Sequence, residues 1–122
     1  MNYVRIYADQ SGDSHFEDVE VAMSLTNFAP PAPPVDMSPL MSSTTVGFLS
    51  APAGWYGPPH PVPRRQFLFL LRGELEGVVS DGEVRRFAPG SVALLEDTLG
   101  KGHSTRVVGE DSALFAIVQL PD

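Results

Sequence analysis

Turn-forming residues cut this chain into short runs, and no run longer than a turn carries the helical apolar period of about 3.6 residues. Twelve prolines and eleven glycines fall among 122 residues. Proline lacks a backbone donor and blocks helix interiors, so a chain punctuated this way disfavours long helices. The runs between the turns alternate instead. In the opening NYVRIYAD, Tyr3, Arg5 and Tyr7 share one face while Val4 and Ile6 share the other. Further strands are predicted over 15–23, 44–49, 66–71, 74–80, 83–87, 91–95, 103–108 and 113–120, about nine in all. Asp81-Gly82, between two of them, is a strong hairpin signal. Short strands at this spacing predict an all-β sandwich or barrel.

The length fits one domain with a proper core. Hydrophobic residues make up 43% and charged residues 19%, a globular balance. Formal net charge is -7, and four of the eight Lys and Arg sit in the pairs Arg64-Arg65 and Arg85-Arg86. Nucleic-acid binding needs a broad basic surface, so it is not expected. No apolar run approaches the ~20 residues of a membrane span. Cysteine is absent, which rules out disulfides and thiolate metal sites. With no apolar leader at the N-terminus, a cytoplasmic location is expected. Residues 30–39, PPAPPVDMSP, suit neither helix nor central strand and read as an extended surface arm.

The chemistry-bearing residues concentrate in GWYGPPHPVPRRQFLFLLRG, from Gly54 to Gly73, and in a later strand headed by His103. Two histidines on separate strands suggest side chains converging on one interior. Along QFLFLL, alternation puts Gln66, Leu68, Leu70 and Arg72 on one face and Phe67, Phe69 and Leu71 on the other. On the His103 strand, Thr105 and Val107 share the face of the histidine. Trp55 and Tyr56 are expected at the rim. Such a cavity, mostly apolar with a few polar groups, suits a small-molecule ligand. Arg64-Arg65 is expected to make surface ion pairs with Glu96 or Asp97.

These segments carry a resemblance. Gly54, five residues, His60, Val62, Gln66 three residues after His60-x-Val62 closes, and Gly73 six residues later match the spacing of the first cupin motif. Val62 stands in a histidine position and Gln66 in the glutamate position. Gly90, the strand SVALL and His103 resemble the second motif, with EDTLGKG in place of its shorter turn. The phrases PRRQ, GEVRRF and EDTLGKGH resemble those of small single-domain bacterial cupins of RmlC-like type. The resemblance implies a cupin-type double-stranded β-helix, a jelly-roll-like barrel. Residues 1–122 would form one domain, with N-terminal strands and the Pro-rich arm in 1–50 and the barrel core in 51–122.

A cupin ligand set carried onto this chain would be His60, Gln66 and His103. It would hold a divalent transition metal such as Fe, Ni, Zn, Cu or Mn. Glu96 or Asp97 would supply a carboxylate if their loop folds over the mouth. Three functions follow. The first is a metal-assisted small-molecule enzyme, of oxygenase or lyase/isomerase type, with His60 and His103 catalytic. The second is a metal-free isomerase, epimerase or cyclase using His60 or His103 as acid and base. The third is a non-catalytic small-ligand-binding module. A homodimer is expected, through QFLFLL, the aromatic first strand and the Pro-rich arm.

Overall fold

A computed structural model describes residues 1–122, and it contains strands and no helix. There are twelve strands: β1 (Asn2–Ala8), β2 (Ser14–Glu20), β3 (Ser24–Thr26), β4 (Val35–Met37), β5 (Thr45–Ala51), β6 (Tyr56–His60), β7 (Gln66–Arg72), β8 (Glu74–Val79), β9 (Val84–Phe87), β10 (Val92–Leu95), β11 (His103–Val108) and β12 (Ala113–Gln119). The nine expected strands are present. The three additional ones are β3 and β4, a small hairpin whose second strand lies within the Pro-rich arm, and β6. Pro58 and Pro59 lie within β6, which is tolerated because β6 is an edge strand with one side free of ladder bonds.

Six strands form one sheet in the order β2-β1-β10-β7-β12-β5, and four form a second in the order β6-β11-β8-β9. Every pairing is antiparallel except β1 with β10. The N-terminal strands are integral to the first sheet, since β1 lies between β2 and β10. The alternation read from β1 holds: Ile6 enters the core, while Tyr3 sits edge-on to Phe67 with ring centroids 5.4 Å apart.

Two apolar clusters fill the space between the sheets. Ile6, Phe16, Val62, Val79, Ala93 and Leu95 form one; Ala51, Leu70, Leu75, Val107, Ala113 and Phe115 form the other. Leu68 and Phe87 pack against both and join them. Val62, which stands in a histidine position of the resembled motif, is core at 4% exposure. That burial supplies about 1.5–3 kcal/mol that a ligand there would not.

Candidate functional site

The site is built by a strand pairing and by the loop that precedes it. β6 and β11 run antiparallel with His60 directly opposite His103. The pairing is irregular between His103 and Thr105, where the two prolines of β6 take up the extra length. His60 and His103 are therefore neighbours, with ring centroids 6.0 Å apart and planes tilted by 33°. Gly102 makes this approach possible. Its φ is +69°, and a Cβ there would collide with the backbone of His60 and Pro61.

The loop over residues 96–102 is pinned on every side. The Glu96 amide donates to the Ile6 carbonyl at 2.8 Å, and the Val62 amide donates to the Asp97 carbonyl at 3.1 Å. The Glu96 carboxylate accepts from Nε of both Arg5 and Arg65. Burial pushes this carboxyl up, but the two guanidinium hydrogen bonds prevail and hold it below its ordinary range. The Lys101 amide donates to the Gly12 carbonyl at 2.9 Å, and Ser14 Oγ donates to the Gly102 carbonyl at 2.6 Å. The anticipated pairing of Arg64-Arg65 with the loop is thus realised by Arg65 and Glu96.

Glu96 faces the arginines, and Asp97 turns the other way. Asp97 is fully buried, and His103 is 7% exposed. Asp97 Oδ2 lies 2.6 Å from His103 Nδ1. A carboxylate only accepts, so Nδ1 carries a proton, and in the neutral ring the lone pair then lies on Nε2. Asp97 Oδ1 is buried with no partner. Native proteins rarely leave such an atom, because it costs about 1–3 kcal/mol.

His103 lines a hollow of about 40 Å³ between the sheets. The walls include Leu68, Leu70, Leu75 and Leu95; the polar groups are His103, Thr105 and Ser91. At roughly 10–15 Å³ for each water molecule, the hollow accepts the reacting end of a small ligand rather than a large molecule. Leu68, Leu70, Thr105 and His103 thus come together as the sequence reading had them. Val107, on the same face, is core at 1% exposure.

Other expected residues lie elsewhere. Arg72 leaves the face of Leu68 and Leu70 because of a bulge: Leu114 pairs with Arg72 and Phe115 with Leu70, so Leu71 is an extra residue. Leu71 and Arg72 are both exposed. Tyr56 pairs with Arg106 on the outer face of β11, and that guanidinium sits 4.6 Å from its ring centroid. Trp55 is exposed, packs over Gly57 and does not line the hollow. His60 is exposed, with Nδ1 donating to the Pro58 carbonyl at 2.6 Å. Gln66 is buried, and its Oε1 accepts from the Gln119 amide at 3.2 Å.

The donor set does not fit a resident divalent ion. No group of three His, Asp or Glu side chains is arranged to hold a metal ion. The third position expected from the motif is Gln66, whose amide oxygen is occupied by Gln119. Glu96 is committed to Arg5 and Arg65, and Asp97, fully buried, faces His103 through Oδ2. That leaves the second ring nitrogens of His60 and His103 as the only uncommitted donors, too few for a resident divalent ion.

A second titratable cluster was missed in the sequence. His15 Nε2 lies 2.7 Å from Asp9 Oδ2 and its Nδ1 lies 2.8 Å from Asp81 Oδ2. Both ring nitrogens face carboxylate oxygens, an arrangement that favours the imidazolium form. Its pKa is raised, first by the Asp9 hydrogen bond and then by that of Asp81. The acidic residues of two turns, Asp9 between β1 and β2 and Asp81 between β8 and β9, were the available signal.

No protein-family profile matches the chain, and no curated protein matches it in sequence. Solved structures do match. The chain resembles the cupin domain of Cnp3 from Schizosaccharomyces pombe, with TM-score 0.56 and 17% identity over 89% of this chain and 73% of that one. An RmlC-like cupin protein from Desulfovibrio desulfuricans matches with TM-score 0.43 and 20% identity over 80% of this chain and 81% of that one. The first likeness carries the assignment: the fold is an all-β barrel of cupin type. Identities this low speak to the fold alone.

Proposed function

From a cupin-type barrel with a buried carboxylate–imidazole pair at its apolar hollow, we propose a small-molecule enzyme that works by proton transfer. His103 is the general base and Asp97 its positioning partner. The single observation that supports this reading is the 2.6 Å contact of Asp97 Oδ2 with His103 Nδ1, on a ring that lines the hollow. The carboxylate fixes the tautomer, so Nε2 is the basic atom, and it stabilises the imidazolium that forms when Nε2 takes a proton.

The substrate class is a small, mostly uncharged molecule with an acidified C–H or O–H, such as a carbonyl compound. Leu68, Leu70, Leu75 and Leu95 offer it no charge partner. Thr105 offers a hydroxyl near the base. The reaction class is isomerisation, epimerisation or cyclisation, in which the proton removed is returned to the same molecule or its product. His103 returns the proton to the substrate, and His60, exposed with its ring centroid 6.0 Å from that of His103, would exchange protons with solvent. The chain's own residues do not assemble the metal-assisted version of this enzyme, for the donor-set reason above.

A panel of small carbonyl compounds tests the reading. Compounds that raise the melting temperature are incubated with protein in D2O, and deuterium uptake is followed by NMR. The wild type should exchange a bound compound's acidic proton at least about 100-fold faster than His103→Gln. Binding with equal exchange in both proteins would reduce the chain to a ligand-binding module.

A further inference from the structure

Four strands end the two main sheets: β2 and β5 in one, β6 and β9 in the other. An edge strand presents unpaired backbone groups, and proteins blunt such edges with charge or proline. β2 carries Glu17, Asp18 and Glu20; β9 carries Arg85 and Arg86; β6 carries Pro58 and Pro59. β5, with the sequence TVGFLSA, has neither charge nor proline. It pairs only with β12. Val46 is 67% exposed and Phe48 74%.

We propose that β5 is the strand through which two copies of this chain associate, lying antiparallel to β5 of the second copy across a two-fold axis. Charge selects this occupant. The chain carries a net charge of -7, so a second copy is repelled by most of its surface. Between Asp36 and Arg64 there is no charged residue, and β5 lies in the middle of that neutral stretch. Two acidic copies meet there without like-charge contact.

Geometry agrees with charge. Identical antiparallel strands related by a two-fold satisfy one another's outward N–H and C=O groups reciprocally. The side chains also match. Phe48 is level with Ala116 and Phe69 along the sheet, and Val46 with Val118 and Phe67. The outer face of the sheet is therefore an apolar stripe that runs to the β5 edge and continues into the second copy. The free edges of the joined sheet are then the two β2 strands, which are acidic. Association stops at two copies instead of growing into a fibre. This contact differs from the one expected from the sequence, which used QFLFLL, the aromatic first strand and the Pro-rich arm.

Sedimentation velocity of the full chain over micromolar concentrations tests this. The wild type should sediment at about twice the 13.2 kDa of one chain. Phe48→Glu and Val46→Glu should each shift it to the single-chain mass with little change in melting temperature, because both side chains are exposed. If either variant fails to fold, amide exchange of the wild type replaces it: β5 amides should gain protection as concentration rises. A wild type at the single-chain mass overturns the proposal. So does a dimer that both variants leave intact, or β5 exchange that is independent of concentration.

Discussion

Asp97 gives one carboxylate oxygen to His103 Nδ1 at 2.6 Å and buries the other without a partner. Stability alone would not select this arrangement. A buried carboxylate with a single hydrogen bond forgoes the donors that would compensate its lost hydration. The imidazole is the beneficiary, since it gains a fixed tautomer and a counter-charge.

Asp97→Asn should therefore separate function from folding. The amide removes the buried charge and can donate to Nδ1, which moves the ring proton to Nε2. Turnover of any proton-transfer substrate should fall by about 10²–10⁴. The melting temperature should stay within a few degrees of wild type or rise. Long-range ¹H–¹⁵N NMR of His103 checks the cause, with the proton on Nδ1 in the wild type and on Nε2 in the variant. A variant that unfolds would make the pair structural instead.

Gly102→Ala tests whether the two imidazoles meet because the backbone allows it. The substitution strains a φ of +69° and drives a methyl into the backbone of His60 and Pro61. Gly82, with φ +98° and open space around a Cβ, is the internal control. Gly82→Ala should cost about 1 kcal/mol from φ alone, and Gly102→Ala roughly 2–4 kcal/mol, read from urea midpoints. Equal costs would mean that β6 yields easily and that the contact does not hold the site together.

Much of this was legible in the residues. Period-two alternation gave nine strands, and the Asp81-Gly82 turn and β7 fell where they were read. Leu68, Leu70, Thr105 and His103 reached one interior because alternation along uninterrupted strands is reliable. The rest failed where local regularity fails. The bulge at Leu71 turned Arg72 outward. β6 was hidden by its prolines, which an edge position permits. Adjacent Glu96 and Asp97 could not be told apart, because the choice depends on Arg5, 91 residues away in sequence.

Chelation should leave the protein unchanged. His60 and His103 lack a third donor, so the expectation is that no ion adds folding energy there. Dialysis against EDTA should shift the melting temperature by less than about 1 °C, whereas a tightly held structural ion would contribute many degrees. A fall of more than about 5 °C, reversed by one added metal, would show that the side chains rearrange into a donor set.

The His15 cluster predicts the shape of stability against pH. Asp9 is held below its ordinary 3.8, first by the His15 hydrogen bond and then by that of Ser11. Asp81 is lowered first by the Glu83 amide and then by His15. A lowered carboxyl contributes stability above 3.8 that is lost as pH falls through its folded value. His15 is raised from 6.5, so its contribution is complete below 6.5 and is lost as pH rises through the folded value. The cluster is fully formed between these limits, and it ties the β1–β2 turn to the β8–β9 turn. Melting temperature should thus peak in weak acid and decline as pH rises past neutrality. His15→Gln should flatten that decline, while the wild type and the variant converge once His15 is neutral. A decline of the same size in both proteins would place the pH response in other groups.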